Sequence, residues 1–159
     1  MKIILDQLAD YGLWANTRFV QRLQREADEV LDRNVPSSFP SLRSTLLHIR
    51  DAENAWHARL RGVPVIWPAS PERAIEDLLK YTLQLRDLAR SYDDADLGST
   101  VLYHDLRGNE HRQTRWHMLL HCFNHSTQHR GQLITMMRAL GLEDIPANDL
   151  VVFQRSLPK

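Results

Sequence analysis

Histidine recurs at every fourth position through one stretch of this chain, at His117, His121, His125 and His129. On an α-helix, residues four apart lie one above the other, with ~6 Å between their Cβ atoms. Two neighbouring imidazoles placed this way can both reach one metal ion at ~2.0–2.1 Å. An exposed helix has no need of such a ladder, and a buried one leaves ring nitrogens to satisfy. The spacing therefore predicts a helix that turns part of a histidine row toward a metal.

Helical periodicity runs through most of the remaining sequence. A first segment extends from about Ile3 to Arg25, with Leu5, Leu8, Leu13, Trp14, Phe19 and Leu23 at apolar positions. The stretch Val35-Pro36-Ser37-Ser38-Phe39-Pro40-Ser41 breaks it. A second helix is expected from about Ser41 to Arg61, ended by Gly62, Pro64 and Pro68. Ser70 reads as the N-cap of a third, with Pro71 at its first position and its end near Tyr92. Between Thr100 and Gln113, Val101-Leu102-Tyr103 and His111-Arg112-Gln113 flank a turn at Arg107-Gly108-Asn109, which predicts a short β-hairpin. The fourth helix opens near Thr114 and stops before Gly141, a C-cap glycine. The tail, with Pro146 and Leu150-Val151-Val152-Phe153, is expected to fold back over the helices. The fold class that follows is all-α: a four-helix bundle of antiparallel type with a short hairpin between helices three and four, spanning 1–159 as one domain.

Charge and composition narrow the class of function. Twenty basic residues cancel twenty acidic ones, without the basic footprint of a nucleic-acid binder. Asp6 and Asp10 come too early for a signal-peptide core. No apolar run approaches the ~20 residues of a membrane span. The lone Cys122 cannot form an internal disulfide. Together these predict a cytoplasmic protein without nucleic-acid or membrane partners.

At about 100° per residue, His125 and His129 fall near the middle of the apolar stripe of the fourth helix, close to Met118, Gln132 and Met136. His117 falls at its edge and is expected to be half-exposed. A third ligand should come from another helix, and the second offers His48. Ala52 and Ala55, one and two turns on, would leave room beside it. Asp51 is weighed as a fourth ligand or as an acceptor for an imidazole N–H, against an ordinary solvated carboxylate. Glu53 falls on the apolar line between Leu46 and Leu60 and reads as structural, in need of a polar partner. Cys122 is weighed as a zinc ligand but reads as a small packed hydrophobe. Trp56 and Trp67 read as core residues or as walls of a substrate pocket.

His48 with Leu47 and Trp56, followed by Asn124-His125-x-x-x-His129-Arg130-Gly131-Gln132-Leu133, resembles the DinB/YfiT-like bundle family. Tyr11-x-x-Trp14-Ala15-Asn16 and Gly141-x-x-x-x-Pro146-x-x-Asp149-Leu150 extend the resemblance over nearly the whole chain. It implies a helical bundle, often a homodimer, holding a divalent metal on His48, His125 and His129. His121, common in one branch, need not bind the ion. The family's best-understood relatives are transferases and isomerases that use mycothiol, bacillithiol or glutathione.

Three neutral imidazoles leave an ion its full charge and at least one open position, as in catalytic rather than structural zinc sites. The expected cofactor is a divalent ion, zinc or nickel. The expected function is transfer of a low-molecular-weight thiol to an electrophilic small molecule. The alternatives are a metal-dependent hydrolase and a non-catalytic metal- or ligand-binding bundle.

Overall fold

The computed structural model describes residues 1–158. Four long helices build it: α1 (Lys2–Leu23), α3 (Leu42–Leu60), α4 (Asp77–Ser91) and α6 (Arg115–Ala139). Three short ones, α2 (Asp28–Leu31), α5 (Asp94–Gly98) and α7 (Leu150–Ser156), decorate the connections. Strands β1 (Thr100–His104) and β2 (Glu110–Thr114) pair antiparallel, Thr100 opposite Thr114 and His104 opposite Glu110. The result is an all-α bundle carrying one short hairpin. Among the described residues, no helix is long and apolar enough to cross a membrane.

Local chemistry sets the ends of these elements. Ser41 and Ser44 form a capping box at the start of α3, each hydroxyl taking the other's backbone N–H at 3.1 and 2.9 Å. Gly141, at φ 70°, takes up the left-handed turn past α6. In the hairpin turn, Asp105 Oδ1 accepts the N–H groups of Arg107 and Asn109 at 2.8 and 2.9 Å.

The third long helix starts later than Ser70-Pro71 suggests. Ser70 Oγ does cap, but it takes Glu72 N–H at 3.1 Å in an isolated turn. Arg50 of α3 holds that turn open, its guanidinium donating to the carbonyls of Glu72 (2.7 Å) and Ser70 (2.9 Å). Those carbonyls point at Arg50 instead of along a helix axis, and α4 begins only at Asp77.

Two apolar clusters fill the bundle ends. One joins Phe19, Leu23, Leu42, Leu46, Ile49, Leu78, Leu133 and Met136; the other joins Leu5, Ala9, Leu60, Leu85, Ala89, Met118, Leu119, Cys122 and Phe123. The order of these residues along each helix fixes its direction. α3 and α4 run the same way, opposite to α1 and α6. Around the square, α1 packs on α4 and α6, and α3 packs on α4 and α6. Neighbours are therefore antiparallel in α1/α4 and α3/α6 but parallel in α3/α4 and α1/α6, unlike the antiparallel arrangement expected throughout. The physical cause is the 61–76 connection, a strap that walks back along α3. Asn54 donates to Ile66 O (3.1 Å), Asp51 accepts Ala69 N–H (3.0 Å), Arg50 takes residues 70 and 72, and Arg43 takes Arg73 O (2.9 Å).

Between the two clusters lies a buried polar layer reaching all four long helices. Glu53 accepts from Ser126 Oγ (3.0 Å), Thr82 Oγ1 (2.5 Å) and Asn16 Nδ2 (3.2 Å). Arg130, 1% exposed, donates to Asn16 Oδ1 (3.1 Å), Asn148 Oδ1 (3.1 Å) and Thr127 Oγ1 (2.8 Å). Its guanidinium also lies 5.0 Å from the Tyr11 ring, whose hydroxyl donates to Asn148 O at 2.5 Å. Glu53 thus has the partners its apolar position demanded, and burial pushes its carboxyl pKa upward. The tail folds back as expected, with Phe153 packed on Tyr11 and Trp14. Arg130→Met should lower stability by on the order of 3 kcal/mol, because Asn16 and Asn148 lose their buried donor. Thermal unfolding measures it, and a change within experimental scatter would mean the layer contributes little.

Candidate metal centre

Antiparallel packing of α3 on α6 brings His48 against His125 and His129. Their Nε2 atoms converge: His125 Nε2 lies 3.1 Å from His48 Nε2 and 3.1 Å from His129 Nε2. Protons alone serve this arrangement poorly. A ring nitrogen either donates one hydrogen bond or accepts one, so His125 Nε2 can satisfy only one of its two contacts. One cation facing three lone pairs satisfies all of them. Ligands ~2.0–2.1 Å from one ion, at angles of roughly 90–110°, stand about 2.9–3.4 Å apart, a range that contains the observed spacing. Among the described residues this three-histidine group could hold a metal ion.

The surroundings prepare the rings for that role. His129 Nδ1 lies 2.8 Å from Gln132 Oε1, and Gln132 Nε2 donates to Ser38 Oγ at 2.8 Å. An amide oxygen can only accept, so Nδ1 carries a proton, which in the neutral ring leaves Nε2 its lone pair. Burial, then the neighbouring His129, pushes the His48 pKa down to about 4 against the pull of Asp51. Burial, with His129, His48 and His121 beside it, takes His125 down to about 3. Both rings are therefore neutral at pH 7. His125 Nδ1 is buried without a partner, a local cost of assembling the cluster.

Loops wall the centre. Phe39 stacks on the His48 ring at 4.0 Å and lies 5.6 Å from His129. Trp67 of the strap meets His48 edge-on at 6.1 Å. The sequence assigned no role at the centre to Phe39 or Ser38, and placed Gln132 on the His125 stripe without one. The available signals were an aromatic residue inside a Pro/Ser loop and an amide three residues after a histidine, both too common to stand out alone.

The other candidates fall elsewhere. Asp51 accepts from Arg50 Nε (2.9 Å) and from Ala69 N–H, anchoring the strap instead of joining the histidine cluster. Cys122 is fully buried in the apolar cluster, and burial raises its thiol pKa well above the ordinary value. It packs, as its reading as a hydrophobe expected. His121 is exposed, 6.1 Å from His125 and 4.9 Å from Trp56. Trp56 therefore stands beside the hairpin, against Tyr103 at 5.6 Å, not at the three rings. His117 is more exposed than expected and bonds Thr114 Oγ1 at 2.9 Å.

Comparison with known proteins finds relatives over most of the chain. Protein DinB of Bacillus subtilis (strain 168) is 22% identical over 157 residues, covering 89% of each chain. A crystal structure of a DinB-like protein from Bacillus cereus ATCC 10987 superposes with a TM-score of 0.62 at 19% identity, covering 87% of this chain and 91% of that one. The sequence model of the DinB family matches residues 1–156. The chain, with its three-histidine cluster between α3 and α6, belongs to the DinB family.

Proposed function

We propose that His48, His125 and His129 hold a divalent ion, zinc or nickel, through their Nε2 atoms. We propose further that the protein uses it to transfer a low-molecular-weight thiol to an electrophilic small molecule. The observation that carries the metal reading is the convergence of three imidazole nitrogens, His125 Nε2 standing 3.1 Å from each of the other two, with no carboxylate among them. The thiol reading draws support from the resemblance to thiol-using bundles. The same reading includes a cytoplasmic homodimer.

An ion held only by imidazoles keeps its full charge and can lower the pKa of a bound thiol or water toward neutrality. The chain's own residues supply the rest. Gln132 orients His129 by accepting its Nδ1 proton. Phe39 and Trp67 present aromatic surface to an apolar substrate and limit the approach of water. Asp51 and Asn54 hold the strap that carries Trp67.

Turnover of bacillithiol, mycothiol or glutathione with an epoxide should require metal-loaded protein. His48→Ala, His125→Ala and His129→Ala should each lose most bound metal and this turnover, while His57→Ala and His111→Ala keep both. Elemental analysis of protein purified without a metal-affinity tag reads the first effect. Full metal content in folded His125→Ala would overturn the ligand set. Metal binding with no turnover of any thiol would favour the non-catalytic bundle.

Chelation should leave helix content intact, because both apolar clusters form without the ion. Bound metal should add about 3 kcal/mol at a hundredfold excess over Kd. Loss of the helical circular dichroism signal on chelation would contradict this.

An ordinary histidine, with a pKa near ~6.5, is largely protonated below that value and must release its proton to solvent when a metal binds. Here the pKa values of His48 and His125 are depressed, so neither ring holds a proton to release above about pH 5. Affinity should therefore persist below pH 6.5, with fewer than two protons released per ion at pH 6. Calorimetry in buffers of different ionisation enthalpy counts them, and release approaching three would refute the depressed values.

A further inference from the structure

A second concave site lies at the opposite end of α3. Its volume is about 590 Å³, within the ~300–1,000 Å³ usual for small-molecule sites. Val63, Pro64 and Val65 of the strap form one wall, and Leu102, Tyr103 and Leu106 of the hairpin form the other. Arg59 also lines it. Arg59 is 9% exposed, with its guanidinium carbon 4.7 Å from the Trp56 ring and 5.4 Å from the Tyr103 ring.

What sets Arg59 apart from the other buried arginines is a guanidinium end that no protein group among the described residues caps. Arg43 pairs with Asp28 and Asp32, and Arg50 with Asp51 and Asp77. Arg130 is held by Asn16, Asn148 and Thr127. Arg59 has one bond, from Nε to His104 O at 3.3 Å. Among the described residues its two terminal nitrogens have no hydrogen-bond partner, yet they are not sealed from solvent. A cation this buried and unpaired is costly, and burial lowers its pKa.

Asp105 lines the same cleft, but its carboxylate is spent on its own turn. Oδ1 takes the Arg107 and Asn109 N–H groups, and Oδ2 takes Asn109 Nδ2 (2.8 Å) and His111 Nε2 (3.2 Å). These bonds hold its pKa well below the usual carboxylate range. The last α3 carbonyls are also occupied, with Ala58 O taking Val63 N–H and Arg59 O taking Gly62 N–H, each at 3.0 Å. One available cation beside a fixed anion suits a monoanion better than a phosphate dianion. The planar guanidinium fork matches a carboxylate, and the walls are apolar.

We propose that this cleft binds a small carboxylate with an apolar body, its carboxylate on the terminal nitrogens of Arg59 and its body between strap and hairpin. The site is distinct from the three-histidine centre. Arg59 lies on the same face of α3 as His48 but three turns away, about 16 Å along the axis, with Trp56 and His121 near the path between. The proposal therefore stands whether or not the metal reading does.

Octanoate, titrated into the full chain by calorimetry, should bind once per chain, and octanol at least tenfold more weakly. Arg59→Met keeps the stem on Trp56 but removes the fork, and should weaken octanoate by about tenfold or more. Leu106→Glu places a like charge at an exposed position of the cleft lining, so it remains readable if Arg59→Met misfolds, and should weaken octanoate in the same direction. His129→Ala should bind octanoate as the unaltered chain does. The proposal is overturned by absence of saturable octanoate binding, by equal affinity for octanol, by retained affinity in both cleft variants, by loss of binding in His129→Ala, or by inorganic phosphate binding in place of octanoate.

Discussion

The hydrogen bond from Ser126 to Glu53 fixes where α6 sits along α3, and the candidate centre depends on that register. Ser126 follows His125 directly, Arg130 follows His129, and Glu53 lies five residues beyond His48. An axial slip of one turn, ~5.4 Å, would break the 3.0 Å Ser126–Glu53 bond and separate nitrogens that now stand 3.1 Å apart. Apolar packing alone discriminates weakly between such registers, because Leu and Met surfaces tolerate exchange. A buried carboxyl that needs three donors does not. Asn16 and Thr82 tie the other two long helices to the same layer.

This layer gives physical content to residues that otherwise read only as family marks. Tyr11, Asn16 and Arg130 meet around Asn148, a residue of the tail. They hold the bundle, and the histidines beside them are left free to face one another across α3 and α6. Burial and mutual repulsion keep His48 and His125 neutral, which is the protonation state a metal requires.

Local chemistry was legible in the sequence. The start of α3 near Ser41, the Gly141 stop, the hairpin turn and the packing role of Cys122 each depend on a few adjacent residues or on a helical period. The three histidines that the fold brings together were singled out by the four-residue spacing and the family pattern. Long-range capture was not legible. Ser70-Pro71 carries a sound helix-start signal, but Arg50, twenty residues earlier, claims the carbonyls that a helix would need. The same anchoring turns residues 61–76 into a strap and makes α3 and α4 parallel, which no periodicity records. Asp51 resembled a ligand because it lies one turn from His48; its commitment to Ala69 N–H exists only once the strap is in place.

The central claim concerns the atoms around one ion. X-ray absorption at the zinc edge, on zinc-loaded protein purified without a histidine tag, reads those atoms directly. The expected spectrum has three imidazole nitrogens at ~2.0–2.1 Å, a remaining light-atom ligand and no sulfur. A sulfur shell near ~2.3 Å, which would implicate Cys122, or a shell with fewer than three imidazoles would contradict the three-histidine centre.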